Sequence, residues 1–259
     1  VDKKLFIVPD VHGRNFWKQV KGCIKSNPSC TIVFLGDYLD PYIQDGVDFP
    51  TALENFEEII TFKKENPDNV VLLIGNHDIH YIEGDYGCSR YNRTFAPKAR
   101  QLFEENADLF QLAYLFRDGS GRKVLCTHAG VSEDWVLRNY TKEQFETPVK
   151  AVEFLNSKYL DRDRYLIEST PLIELGIYRG GWSRDGGPLW CDFREINPVS
   201  WWKPDTVQVY GHTQLAKTGM TVPAYHTASP GHVFAGICCD SRTVFEYDEN
   251  NPNKLIALE

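Results

Sequence analysis

Five polar clusters carry side chains able to bind metal or to move protons. They read Asp10-Val11-His12-Gly13, Gly36-Asp37-Tyr38-Leu39-Asp40, Gly75-Asn76-His77-Asp78, Thr127-His128-Ala129-Gly130 and Gly211-His212-Thr213. Carboxylate together with imidazole suits Mn, Fe or Zn better than Mg or Ca, which favour oxygen donors. Asp10 and His12 stand two apart. In an extended segment they project to the same side and can chelate one ion. Glycine beside each cluster lets the backbone turn tightly. Any one such motif is more often a turn than a ligand. Here all five follow an apolar run, which makes chance agreement a poor account.

Those runs are the elements that must position the clusters. Leu5 to Val8, Thr31 to Leu35 and Val70 to Ile74 read as strands buried on both faces. Between them, Asn15 to Ser26 has a helical apolar face. Pro50 to Glu65 is a clear amphipathic helix on Leu53, Phe56, Ile59 and Ile60, with Phe62 off the stripe. The order β-α-β-α-β predicts a parallel sheet, with ligands beyond the carboxyl ends of its strands. Arg100 to Phe110 is expected to be helical. Ala113 to Arg117 and Lys123 to Cys126 form a hairpin over Asp118-Gly119-Ser120-Gly121. Ser132 caps a short helix to Asn139, and residues 141–170 are largely helical. Residues 176–205, rich in Gly, Pro and Trp, read as a loop. Thr206 to Tyr210, Val233 to Ile237 and Val244 to Tyr247 are strands, and Lys254 to Leu258 is an edge strand.

Composition narrows the partners. Among 259 residues, Asp and Glu outnumber Lys and Arg by 36 to 28, for a formal charge of -8. That argues against a nucleic-acid polymer or an anionic membrane as the main partner. No apolar run approaches the ~18 residues of a membrane span. Seven scattered cysteines without a CxxC fit free thiols in a reducing, cytoplasmic setting. The chain opens on Val1 with neither Met nor a signal-peptide core, so a trimmed start and a removed targeting segment both stay open.

The set D-x-H, G-D-x-x-D, G-N-H-D, H-A-G and G-H-T resembles the calcineurin-like metallophosphoesterase superfamily. It is most similar to the phosphoprotein-phosphatase (serine/threonine phosphatase) type, in its bacterial branch. Pro188-Leu189-Trp190-Cys191-Asp192 is similar to the L-W-x-D segment of those phosphatases. The resemblance implies an α/β (α+β) fold, a β-sandwich of two mixed sheets flanked by helices, as a single domain over residues 1–259. It implies two divalent metal ions, Mn first, with Fe or Zn accepting the same donors. Asp10, His12 and Asp37 would hold one ion. Asp37 would bridge to the other, completed by Asn76, His128 and His212. A metal-bridged hydroxide would then attack phosphorus in line. His77 would protonate the leaving oxygen as general acid, with Asp40 orienting it.

The chain also departs from that pattern. Where the eukaryotic-type phosphatases carry a phosphate-gripping Arg after the second Asp of G-D-x-x-D, it has Pro41. Arg179, Arg184 and Arg194 are the candidates to bind substrate instead, Arg179 first because two glycines follow it. Gln214 stands where other members have the second His of G-H-x-H, which argues against the phosphodiesterase and nuclease branches. H-A-G occurs in bacterial protein phosphatases and in dinucleoside-tetraphosphate hydrolases. The expected function is therefore a phosphomonoesterase acting on a phosphoprotein or a small phosphoester. A dinucleoside polyphosphate hydrolase, or another phosphoester hydrolase on the same fold, is the alternative. A metal-binding scaffold without turnover is a third reading, opposed by the presence of all six ligands and His77. Asp78 is expected to tether its loop and His80 to hydrogen-bond locally. Cys126 and Cys191 are expected to be buried, and His226 and His232 receive no role.

Overall fold

The computed structural model describes residues 3–84, 87–161, 166–218, 222–227, 234–251 and 254–258. Its first half is β1 (Leu5–Val8), α1 (Lys21–Ser26), β2 (Thr31–Phe34), α2 (Phe49–Glu65), β3 (Val70–Leu73), α3 (Asn76–Ile82), α4 (Ala96–Glu105) and β4 (Phe110–Gln111). There follow β5 (Ala113–Arg117), β6 (Lys123–Thr127), α5 (Glu133–Asn139), α6 (Pro148–Leu160), β7 (Thr206–Tyr210), β8 (Ala224–Thr227), β9 (Phe234–Cys238), β10 (Phe245–Tyr247) and β11 (Leu255–Ala257). The strands form two sheets, ordered β11-β10-β1-β2-β3-β4 and β5-β6-β7-β9-β8. Both are mixed. β1 to β4 run parallel; beyond β1, β10 is antiparallel to β1 and β11 antiparallel to β10. β6, β7 and β9 run parallel, flanked by antiparallel β5 and β8.

Side-chain alternation builds two layers at once. Leu5 and Ile7 of β1 join Val33, Leu73, Val124, Val207, Val209 and Ile237 in the seam between the sheets. Phe6 and Val8 point the other way and meet the helices, with Ile32, Phe34, Phe56 and Ile59. Each fully buried side chain of this size contributes about 1.5–3 kcal/mol. So the strands cannot slip by one residue without exposing one layer, and their ends are fixed in register.

Several local readings shift. α2 starts at Phe49, capped by Asp48, whose carboxylate accepts the Thr51 N–H at 2.9 Å. Phe62, off the expected stripe, is buried because Trp17 covers a second face of α2, at 5.6 Å between ring centroids. α4 spans Ala96 to Glu105 rather than Arg100 to Phe110, and Phe110 opens β4. The polar end of β3 is no simple loop, since Asn76 begins α3. His226 lies in β8, a strand without a clear alternating pattern. His232 and Val233 lie outside the described residues. Residues 176–205 are a run of turns pinned by Glu195, which accepts from the backbone N–H groups of Tyr178, Gly186 and Asp192. Among the described residues no helix is long and apolar enough to cross a membrane.

Candidate metal centre

The five polar clusters meet at one edge of the two sheets, just past β1, β2, β3, β6 and β7. Five non-glycine residues among those described have positive φ: His12 (46°), Asp37 (55°), Asp40 (58°), Arg90 (66°) and His212 (63°). Four of them belong to the clusters. Backbone of this kind costs of order 1–3 kcal/mol per residue and persists where surrounding structure over-determines it. Asp78 is one such determinant. Its carboxylate accepts the N–H groups of Gly75 (2.7 Å), Asp37 (2.8 Å) and Tyr38 (3.0 Å). This joins the end of β3 to the end of β2, the tether expected of Asp78.

Two groups of metal-competent atoms share Asp37. One is Asp10, His12 and Asp37; the other is Asp37, His128 and His212. Within each group the donor atoms lie within 4.8 Å of one another, all on buried residues. His12 Nε2 is 3.5 Å from Asp37 Oδ2, and His128 Nε2 is 3.7 Å from Asp37 Oδ1. The two oxygens of one carboxylate thus face the two groups. Asn76 Oδ1 adds a donor to the second, 2.8 Å from His128 Nε2 and 2.9 Å from His212 Nδ1.

The protonation pattern fits a cation. His12 Nδ1 donates to the Leu39 carbonyl at 2.9 Å, and His128 Nδ1 to the Leu35 carbonyl at 2.8 Å. Each Nε2 then presents a lone pair to the centre. His128 Nε2, Asn76 Oδ1 and His212 Nδ1 crowd together, the two nitrogens 3.1 Å apart. A proton on His212 Nδ1 would be shared by two acceptors, His128 Nε2 and Asn76 Oδ1. A cation between these buried donor atoms would satisfy them all. Burial pushes the His12 and His212 imidazoles well below their usual range, so both are neutral, the form able to ligate a cation. Burial works to raise the Asp37 carboxyl, but His128, His77 and His12 together hold it below the ordinary carboxylate range. The backbone leaves room: a Cβ on Gly75 would meet Asp37 Oδ1, and one on Gly211 would meet Asp10 Oδ1.

His77 stands beside these groups, outside both. Its Nδ1 is 2.7 Å from Asp40 Oδ2. Asp40 is completely buried and also receives the Tyr81 hydroxyl at 2.5 Å and His80 Nε2 at 2.7 Å. Burial lowers the His77 imidazole, but Asp37 and then Asp40 outweigh it and raise it to about 10. A protonated imidazole facing the metal-competent groups can deliver a proton.

A model of the family described as "Calcineurin-like phosphoesterase" matches residues 3–219, a range that contains all five clusters. The chain belongs to this family. Among sequence relatives, the serine/threonine-protein phosphatase PP1-delta of Caenorhabditis elegans is 27% identical over 139 residues, 51% of this chain and 41% of that protein. The match thus spans about two fifths of the relative's length. Two solved structures share the fold at 16% identity. A cold-active protein-tyrosine phosphatase of a psychrophilic Shewanella gives a TM-score of 0.53 over 100% of this chain and 81% of that one. A protein serine/threonine phosphatase of Saccharomyces cerevisiae, similar to human phosphatase PP5, gives 0.52 over 99% and 79%. Family membership and the buried Asp/His groups together indicate divalent metal binding.

In this calcineurin-like phosphoesterase a cleft of about 400 Å³ opens over the centre, lined by Tyr42, Arg90, Arg179, Trp190, Arg194 and Lys217 besides cluster residues. Arg179 Nε is 3.1 Å from Asp192 Oδ2, and its Nη2 donates to Thr213 Oγ1 at 3.2 Å. Arg194 grips the same carboxylate at 2.7 and 3.0 Å and lies over the Tyr178 ring. Arg184 does not join them. Its side chain is 80% exposed, contacts Asp134 at 3.4 Å and lines no part of the cleft. The turns between Gly180 and Gly187 direct it outward despite its closeness in sequence. Cys126 and Cys191 are buried, as expected. Sequence reasoning passed over Arg90, Tyr42, Tyr81 and Cys88. None lies at a strand end, so no apolar run pointed to them. Cys88 Sγ sits 3.5 Å from His77 Nδ1.

Proposed function

We propose that the protein is a phosphatase that hydrolyses phosphomonoesters, phosphoserine or phosphothreonine proteins among them, at a pair of divalent metal ions. The observation that carries this is the Asp37 carboxylate, with one oxygen toward each of two buried donor groups. Asp10, His12 and Asp37 would hold one ion, and Asp37, Asn76, His128 and His212 the other. When bound, the metals would supply charge neutralisation at phosphorus and a water acidified into a nucleophile. Mn is the metal we assign first, and Fe and Zn accept the same donors. We take residues 1–259 as one catalytic domain, because strands of both sheets deliver ligands.

The chain's own groups do the rest. Asp37 fixes the spacing of the two donor groups. His77 gives its Nε2 proton to the departing oxygen while Asp40 holds Nδ1–H and the ring plane. Trp190, edge-on to His212 at 5.4 Å, keeps that ring in place. Arg179 closes one side of the cleft. No covalent phosphoenzyme is required, because no nucleophilic side chain is needed beside the metals.

The test is a substrate panel with Mn²⁺ and with chelator. It compares phosphopeptides, p-nitrophenyl phosphate, its bis ester and diadenosine tetraphosphate. Metal-dependent turnover of monoesters with little on the bis ester supports the reading. Preference for diadenosine tetraphosphate would replace it with the anhydride hydrolase. Silence on all four, with metal bound, would leave only a scaffold.

A further inference from the structure

Arg90 reaches the centre from the segment between α3 and α4. Its Nε donates to the Asp40 carbonyl oxygen at 3.0 Å. Its Nη2 lies 3.4 Å from His77 Nε2 and 3.5 Å from His12 Nδ1. The guanidinium rests 3.7 Å from the Tyr42 ring centroid, which fixes its plane. A protonated His77 repels a permanent cation, and His12 Nδ1, which donates to the Leu39 carbonyl, offers it no lone pair. The other two cleft arginines, Arg179 and Arg194, have Asp192 as counter-charge. Arg90 forms no ion pair with a carboxylate among the described residues, and its one firm acceptor is a neutral carbonyl.

Its backbone points the same way. Arg90 is the one positive-φ non-glycine among those described that lies outside the five clusters. The strain that marks four residues of the centre therefore marks this one too. A rigid, uncompensated guanidinium, aimed at the Nε2 of the proton donor, is a fork for an anion with paired oxygens.

We propose that Arg90 binds the phosphoryl oxygens of the substrate and sets them between His77 and the Asp37-centred donor groups. This rests on the phosphatase reading above. The experiment uses the Mn-loaded chain and the variants Arg90→Ala, Arg90→Lys and, as a cation outside the cleft, Arg184→Ala. Binding of inorganic phosphate is read by calorimetry. KM and kcat for p-nitrophenyl phosphate, bound metal and melting temperature are measured alongside.

Arg90→Ala is expected to weaken phosphate binding and raise KM by about tenfold or more, with metal content unchanged. Arg90→Lys recovers only part, because an ammonium lacks the fork. Arg184→Ala matches wild type. Wild-type phosphate affinity in Arg90→Ala would overturn the assignment. Loss of metal with the affinity would also overturn it, since Arg90 would then be a brace for Asp40. An equal loss in Arg184→Ala would reduce it to a general field effect. If Arg90→Ala does not fold, the folded Arg90→Lys decides: unchanged phosphate affinity there overturns the proposal, and weakened affinity supports it. Should the wild type neither bind phosphate nor hydrolyse any monoester, the phosphatase reading falls, and this assignment with it.

Discussion

Asp40 Oδ2 lies 2.7 Å from His77 Nδ1, and the carboxylate has no exposed surface at all. A buried carboxylate beside an imidazole fixes which nitrogen bears the proton and keeps the ring cationic. The role proposed for His77 predicts a leaving-group effect. His77→Asn and Asp40→Asn should keep their metal yet slow phenyl phosphate by about 10²–10⁴-fold. p-Nitrophenyl phosphate should lose much less, because its leaving oxygen needs little protonation. Equal losses on both esters would remove the acid role.

His80 takes the same Asp40 oxygen at 2.7 Å and is fully buried. Its ring meets Tyr81 and Tyr91 edge-on, so it is packed in place and cannot face the cleft. His80→Gln should therefore act on stability first. Imperfect replacement of a buried polar contact costs about 1–3 kcal/mol. A drop in urea midpoint, with a smaller loss of turnover than in Asp40→Asn, is the expected pair of results. Wild-type stability with lost turnover would place His80 in the chemistry instead.

Metal should be worth stability as well as activity. His128 Nε2, His212 Nδ1 and Asn76 Oδ1 lie within 3.1 Å of one another, a buried set of donor atoms that a cation between them would satisfy. A ligand that binds only the folded chain, at a hundred times its Kd, adds about 2.7 kcal/mol. Mn²⁺ should raise the melting temperature of wild type, and chelator should reverse it. Asp37→Asn should show a much smaller rise, bind less metal and hydrolyse nothing. A fully metallated, active Asp37→Asn would contradict the bridge.

How much of this was legible depended on where a residue gets its position. Asp10, His12, Asp37, Asn76, His128 and His212 stand at the ends of apolar strands. The strand fixes where such a residue lies, so spacing alone brings them together. Tyr81 and His80 are placed by α3, whose first turn is the same Asn76-His77-Asp78 that reads as a turn beyond a strand. The apolar run of the strand stops there, and seven residues of helix are too few to show a period of their own. Cys88 and Arg90 sit on the loop after α3 and Tyr42 on the loop after β2, and only the packing of those two loops over one another makes Arg90 and Tyr42 neighbours. Arg184 shows the converse. Closeness in sequence to Arg179 and Arg194 says nothing about direction within a run of tight turns. Phe62 escaped because helical periodicity finds one buried face, whereas α2 is covered on two.

Two glycines separate backbone strain from site geometry. Gly75 has φ of -101°, which any residue adopts, but a Cβ there would meet Asp37 Oδ1 and stand 2.8 Å from His128 Cε1. Gly46 has φ of +66° with nothing near its missing Cβ. Gly46→Ala should cost about 1 kcal/mol, the price of a left-handed backbone, and leave metal content intact. Gly75→Ala should displace the shared carboxylate and lose metal. Metal analysis and melting curves on the two variants check both halves. Full metal in Gly75→Ala would mean that Asp37 has room to move.

Asp192 gives a stability signature in pH. Burial works to raise its carboxyl, but the Arg194 side chain and N–H and the Arg179 charge outweigh it and hold the carboxyl below the ordinary 3.8. A carboxylate depressed in the folded state adds stability above its unfolded value. That stability is lost as the pH falls through the folded value. Asp192→Asn should therefore lower the urea midpoint fully at neutral pH. The gap from wild type should stay constant down to about pH 4 and close only below 3.8. Chelated chains should be compared, so that acid release of metal does not enter. A gap that widens with acid would mean that Asp192 is protonated more readily when folded, and that the two arginines do not hold it. A gap that never closes would assign the loss to packing around Phe193 and Thr213 rather than to charge.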